Sequence, residues 1–220
     1  MISHTQCQLA LRAKLLTLSV CTTGSATLAA SALGYTRASG SFVADGFAPG
    51  MEVTPTGFTQ TATGVVTAVT AGLLTIAGGR TVQTAGAGRT VAVGLPALRV
   101  EENRDPGQGQ PVTGVPYVLE QYIPGPMSRY TSGPLGRLNA EPQYAVHVYI
   151  KSNTGFLAAA KYADALLTLF APGVTVTLTN GDVVRVRGDV GPFRGQLMQD
   201  TGWCVVPVTI PLRIDTTNAV

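Results

Sequence analysis

The stretch "GSFVADGFAPGMEVTPTGFTQTATGVVTAVTAGLLTI" (40–76) decides how this chain is divided. Its apolar residues alternate with Thr, Gly and Ala at a period of two, the period of a strand with one buried face. "GVVTAVT" and "LLTI" flank Ala71-Gly72, a two-residue turn suited to a tight hairpin because glycine accepts positive φ. "MEVTPTGF" reads as a strand, and Pro55, which has no amide to donate, places it at an edge or a strand end. "GRTV" occurs at 79–82 and again at 88–91, and reads as one loop and one last strand. The texture from about 23 to 95 is therefore that of a compact all-β unit of five or six short strands. With one Asp, one Glu, no His and no Cys, the quoted stretch offers nothing catalytic.

The flanks read differently. Leu9, Ala13, Leu16 and Val20 recur at helical spacing, with Leu11, Leu15 and Leu18 widening the stripe. This predicts an amphipathic helix over 5–20, capped by Ser3 or Thr5, with a face wide enough to be buried on more than one side. Between 98 and 142, two irregular Pro/Gly-rich stretches bracket one strand, "YVLEQYI" (117–123). They read either as surface loops or as arms that order against neighbours. Further on, "YAVHVYI" (144–150) alternates, and "SNTGFLAAAKYADALLTLF" predicts a helix over 156–170 with Phe156, Ala160, Ala163, Leu167 and Phe170 on one stripe. Two alternating runs around Asn180-Gly181 predict a type I′ hairpin. "WCVVPVTIPLRI" puts Cys204, Val206, Val208, Ile210 and Leu212 on one face, and its prolines 207 and 211 predict an edge strand or a subunit boundary.

Composition narrows the function. Apolar residues are 45% of the 220 and charged residues only 12%, about half the usual share of roughly 25%. A surface so poor in charge suits a chain whose neighbours cover part of it. The net charge of +3 comes from scattered residues, most of the basic ones arginine, so no nucleic-acid patch is indicated. Three cysteines without C-x-x-C spacing exclude a disulfide framework or zinc site and favour a reducing compartment during synthesis. The apolar core of "RAKLLTLSVC" (12–21) is too short for a secretion signal, and no run is long enough to span a membrane.

Catalytic chemistry finds no home here. His4 lies near the terminus, and His147 lies on the less apolar face of a strand with no nucleophile motif beside it. "GAGRTVAV" lacks the third glycine and following helix of a phosphate loop. Glu101 and Glu102, if extended, point to opposite faces and cannot share a proton. "RGD" (187–189) is read as the end of an alternating run followed by a turn. The sequence predicts no catalytic residue, no metal site and no cofactor.

The order of elements outside the β unit resembles the tail terminator, or tail completion, family of long-tailed bacteriophages. The matching features are the N-terminal helix, "LRVEENRDP" (98–106), "YVLEQYIPG" (117–125), "SGPLGR", "YAVHVYI", "GFLAAAKYADALLTLF" and the closing "GWCVVPVTIPLRI". The β stretch is similar to small modules of phage tail proteins. Together these predict an α+β body, a mixed sheet with two packed helices, formed by 1–22 and 96–220, with an all-β, sandwich- or barrel-like domain inserted at 23–95. The helix end near Val20 and the resumption near Leu98 should then lie side by side.

The resemblance implies a structural virion protein, not an enzyme, made in the host cytoplasm and placed at the head-proximal end of the tail. It implies a homohexameric ring that caps the tail tube, ends its polymerisation and meets the head-tail connector, with DNA only passing through the lumen and no membrane involved. Arg129, Tyr130 and Arg137 in the irregular stretches are the expected subunit contacts, since Arg and Tyr combine area with directed hydrogen bonds. Competing readings are a connector or other tail component, and an adhesin or decoration protein that binds through the β module.

Overall fold

The computed structural model describes residues 3–100, 114–129, 137–154, 156–200 and 202–217. The chain opens with α1 (His4–Leu15), capped by Ser3, whose Oγ accepts from the Gln6 amide at 3.4 Å. Arg12 and Lys14 in its last turn complement the negative end of the helix. Its buried face is Cys7, Leu11 and Leu15, so the expected stripe is corrected: Leu9 and Leu16 are exposed. Val20 is not helical at all but lies in the first strand.

Seven strands follow: β1 (Ser19–Thr22), β2 (Ala26–Ser31), β3 (Gly34–Arg37), β4 (Glu52–Thr56), β5 (Gly64–Val69), β6 (Leu73–Ile76) and β7 (Gln83–Gly94). Strands β2, β3, β6, β5, β4 and β7 pair in that order, and β7 returns to β2, closing a six-stranded barrel with β1 added alongside β7. Leu28, Tyr35, Val53, Val66, Leu74 and Val91 are fully buried, each on an alternating strand position. Strand β7 serves three partners along its length, β2 first and then β4 and β1. Gly88, at φ +73°, sits where its ladder with β2 slips register, an irregularity that bends the strand around the barrel.

Strand β4 is paired on both sides, so of the two positions read from Pro55 it is the strand end, not the edge, that the structure shows. It pairs β5 only through Glu52 and Val53, then β7 through Thr54–Thr56. The missing amide of Pro55 therefore costs nothing on the β5 side. The Ala71-Gly72 turn is present, but neither residue has positive φ. It is shaped instead by the Thr70 hydroxyl, which accepts from the Leu73 amide at 3.0 Å.

The second sheet contains β8 (Ala97–Val100), β9 (Tyr117–Ile123), β10 (Met127–Arg129), β11 (Arg137–Ala140), β12 (Gln143–Lys151), β13 (Thr175–Thr177), β14 (Val183–Val186), β15 (Phe193–Arg194), β16 (Met198–Asp200) and β17 (Trp203–Thr217). Helix α2 (Phe156–Leu169) packs on β12 and β17. As the alternation predicts, Tyr144, Val146, Val148 and Ile150 are buried, and so are Cys204, Val206, Val208, Ile210 and Leu212. The buried side of α2 is Ala158, Ala159, Tyr162, Ala163 and Leu166, shifted from the expected stripe, and Phe156 is exposed.

Strand β17 is central, not an edge. One side pairs with β12 along Trp203–Pro211 and with β11 along Ile214–Thr217. The other side meets β16 at 203–205, β15 at 208–209 and β14 at 212–215. Pro207 and Pro211 fall in the gaps between these short partners. Their carbonyls still accept, from the Gly195 amide at 2.8 Å and the Arg187 amide at 3.0 Å. A proline is tolerated mid-sheet here because no neighbour asks for its amide. The hairpin between β13 and β14 also differs from type I′: Gly181 has φ +84° but Asn180 does not. The Leu178 amide bonds the Asp182 carbonyl and the Gly181 amide bonds Leu178, a three-residue loop ending in a left-handed glycine.

These findings correct the expected fold class. The described residues are mostly β, 48% strand and 14% helix, with a closed six-stranded barrel and a second sheet, rather than an α+β fold of a mixed sheet with two packed helices. Ser19 pairs with Gly94, so the chain enters and leaves the barrel strands at adjacent points. The buried residues of both sheets form one continuous core.

Candidate assembly surface

Two of the residues predicted to make subunit contacts, Arg129 and Arg137, lie on one hairpin. Arg129 ends β10, Arg137 begins β11, and Arg129 pairs with Leu138 across the ladder. Strand β10 is the outermost strand at that end of the sheet order. Tyr130 lies outside the described residues, as do Glu101 and Glu102.

Acid–base groups are placed for structure. Glu120 on β9 is fully buried on the helix-covered face, level with Val146 of β12. Arg12 of α1 donates its Nε to Glu120 Oε1 at 2.5 Å, and the Tyr144 hydroxyl donates to Oε2. Burial and the adjacent carboxylate push the Tyr144 phenol far above its ordinary value, so it stays a donor. The triad clamps α1 to the sheet and faces no open cavity. Sequence reading missed it: Glu120 is in phase with Val118 and Tyr122, while the other phase of "YVLEQYI", with Tyr117, Leu119 and Ile123, is the more apolar one and gives no sign that Glu120 is buried. His4 approaches the Tyr122 hydroxyl at 3.4 Å, and His147 lies opposite Pro207 on the other face of the sheet. That face also carries Tyr117 stacked on Tyr149 at 4.4 Å, with Trp203 edge-on. Among the described residues no cluster of His, Cys, Asp and Glu could hold a metal ion, and no helix is long and apolar enough to cross a membrane.

The RGD tripeptide is tied up within the chain. Arg187 bonds Asp189 at 2.5 Å and Glu141 at 2.9 Å. The guanidinium holds the Asp189 carboxyl down at about 2. Since the folded value lies below the unfolded one, this pair contributes above the ordinary carboxylate range and is lost as pH falls towards 2. Both groups are open to solvent, so the contribution is small.

Helix α2 also meets the barrel. Lys161 Nζ donates to the Gly46 carbonyl at 2.5 Å, and burial pushes the nearby Cys21 thiol up to about 12. Tyr162 is buried beside Glu52 of β4, and its hydroxyl has no hydrogen bond of ordinary geometry. A cleft of about 520 Å³ opens where Leu18 and Val20 approach Lys161 and Leu169. A second, of about 280 Å³, lies between the start of α2 and the sheet, lined by Phe156, Leu197, Cys204, Gln199 and Lys151. Large apolar side chains are exposed at several places: Leu9 and Leu16 on α1, Leu33, Val43 and Val82 in the barrel segment, Ile123 and Met127 around β9–β10, and Phe156, Leu157, Val190, Phe193, Leu197 and Met198 around the second cleft and the β15–β16 edge.

Comparison with known proteins gives the same direction. A family model described as phage tail terminator protein matches residues 94–212. No curated protein matches the sequence. A solved structure that bears no functional name aligns over 55% of this chain and 79% of its own, at 20% identity and a TM-score of 0.41, too loose a likeness to carry an argument.

Proposed function

This chain belongs to the phage tail terminator protein family and has a structural role in a phage tail, and from that premise we propose that it closes into a ring on the end of the finished tail tube. One ring face complements the last tube ring and the other offers no surface for a further tube subunit, so polymerisation stops; that second face meets the head-tail connector. The ring is a homohexamer, DNA passes through its lumen, and it sits at the head-proximal end of the tail. The observation that carries this reading is the family match, which spans nearly all of the second sheet, including the whole of β12 and β17 as far as Leu212. Supporting it are the low charge content, the exposed apolar side chains and the absence of an assembled reactive site among the described residues.

A ring of identical copies needs a heterologous contact, in which one patch meets a different patch on the next copy and the rotation closes. Arg129, Tyr130 and Arg137 on and beside the β10–β11 hairpin supply part of its polar rim. Electron microscopy of particles made without the protein tests the function. Overlong or unjoined tails are expected, whereas tailless heads beside absent tails would replace the terminator reading with a connector. Changing the three rim residues to alanine should weaken ring closure or capping while leaving the circular dichroism spectrum unchanged. Capping at wild-type strength would remove them from the interface.

A further inference from the structure

Of the five asparagines in the chain, only Asn180 is followed by glycine. The pair sits at the tip of the β13–β14 hairpin, and both residues are exposed. A Cβ added at Gly181 would meet nothing within 4 Å, so no neighbouring atom crowds that residue. Asn139, by contrast, lies in β11, paired on both sides, and Asn153 precedes a β-branched threonine.

The loop holds the Asn180 amide by both its ends. Oδ1 accepts from the Asp182 amide at 3.1 Å, and Nδ2 donates to the Asp182 carboxylate at 2.8 Å. A donor on Oδ1 stabilises the charge that this oxygen gains when a nucleophile adds to Cγ. The nearest nucleophile in the chain is the backbone nitrogen of Gly181, whose attack closes a ring and needs no second molecule to be brought up. In the hairpin the Gly181 N–H donates to the Leu178 carbonyl at 3.0 Å, a bond that must open first. Exposed loop tips open locally at low cost.

We propose that Asn180 is a self-modification site, which deamidates in the folded protein and turns the hairpin tip from neutral to acidic. The Gly181 nitrogen, having lost its proton to water, bonds to Asn180 Cγ. The Cγ–Nδ2 bond breaks, and that nitrogen takes up a proton and leaves as ammonia. Water then opens the succinimide at either carbonyl, giving aspartate or isoaspartate. One water is consumed, one ammonia is released and no electrons are exchanged, so the step needs neither cofactor nor enzyme. The product carboxylate stands beside Asp182, whose Oδ1 also accepts from the Thr216 hydroxyl of β17 at 3.1 Å. Two carboxylates in one place repel, so the change loosens the loop's hold on the end of β17 and lowers the net charge of +3 by one. In a structural protein that is not replaced once assembled, it accumulates with the age of the particle.

Trypsin isolates the site, because the fragment 162–185 contains no other asparagine and no glutamine. The chain is incubated at neutral pH, folded and in urea, and that fragment is weighed and separated into its amide, aspartate and isoaspartate forms. The folded chain should convert within about tenfold of the rate in urea, the factor that one hydrogen bond of ordinary net strength imposes. Asn180→Gln, whose longer side chain has to close a larger ring, should show no conversion on the same timescale. Conversion more than about tenfold slower in the folded chain would overturn the proposal, the Leu178 and Asp182 bonds then protecting the amide. Asn180→Asp installs the product charge and should melt about 2–4 °C below wild type. An unchanged melting curve would overturn the coupling of the tip to β17.

Discussion

Arg12→Ala should be among the most damaging single changes outside the apolar core. The Glu120 side chain is fully buried and holds two partners, Arg12 at 2.5 Å and the Tyr144 hydroxyl. Removing Arg12 leaves a buried carboxylate with one neutral donor. Breaking a buried ion pair from one side costs about 3–5 kcal/mol. The Arg12 side chain is 25% exposed, so water can replace part of what is lost, and about 2–3 kcal/mol is the expected penalty. For a chain of this length, each kcal/mol lowers the melting temperature by about 2–4 °C, giving a drop of roughly 4–12 °C. The assay is thermal and urea unfolding followed by circular dichroism at one fixed protein concentration, since assembly would otherwise add to apparent stability. Arg12→Met/Glu120→Leu removes both charges and should recover most of the loss, because the penalty lies in the orphaned charge rather than in the missing attraction. An Arg12→Ala protein within about 0.5 kcal/mol of wild type would refute the clamp.

Gly50→Ala should destabilise by about 1–3 kcal/mol in urea titration, more than Gly173→Ala. Gly50 has φ +91° and its added Cβ would lie 2.6 Å from Thr154 Oγ1, whereas Gly173, at φ +83°, has nothing within 4 Å. Tyr162→Phe should be neutral or stabilising by up to about 1 kcal/mol, because the hydroxyl it removes is buried beside the Glu52 backbone without a hydrogen bond of ordinary geometry; a clear loss of stability would show that the contact with Glu52 is a bond of full strength. Burial raises Cys7, Cys21 and Cys204 above the ordinary thiol value, so none should react quickly with a disulfide reagent at pH 8 until urea is added. Replacing residues 24–94 by a short Gly/Ser linker should give a folded second sheet of lower stability, read by strand signal in circular dichroism and by melting temperature. A wholly unfolded product would mean that the chain folds only as one unit.

Where one strand face was buried, sequence alone was enough. The alternation in β12 and β17 names the buried residues correctly because period two leaves only two faces to choose between. The helices were located but rotated. Leu and Ala surround α1, and spacing cannot say whether Leu9–Leu16 or Cys7–Leu11–Leu15 meets the sheet; Arg12, drawn inward to Glu120, decides it. The edge position, one of the two readings of the β17 prolines, fails because an edge is not the only place that spares an amide. A strand flanked by three short, separated partners spares it equally well, and the alternation of the strand itself does not show where those partners break. Barrel closure was out of reach for a related reason. Pairing of β4 with β7 joins residues more than thirty positions apart, and no local pattern distinguishes a closed barrel from an open sheet. Of the assembly surface, the arginines of the β10–β11 hairpin could be nominated from residue type, but the cleft at Phe156 exists only once α2 and β16 are brought together.

The barrel shows how a chain can accept extra strands without giving up its own architecture. We propose that 23–95 is an inserted unit and that 1–22 and 96–220 form the body around it. Insertion requires entry and exit to be neighbours, and Ser19 paired with Gly94 provides that at the base of the barrel. An insert joined only at its base would swing freely, yet this one is fastened at a second place. Gly46 accepts from Lys161, Gly50 packs tightly on Ile150 and Thr154, and Tyr162 is covered beside Glu52. Glycines at φ +102° and +91° let the 42–51 segment approach α2 and the end of β12 more closely than a side chain would permit. The same closeness makes the core continuous, so removing the barrel would uncover Ile150 and Tyr162 and lower the stability of what remains. Orientation is what this second attachment contributes: a barrel fixed at two places holds one direction relative to the sheet, and in a ring it would be repeated in the same direction on every subunit.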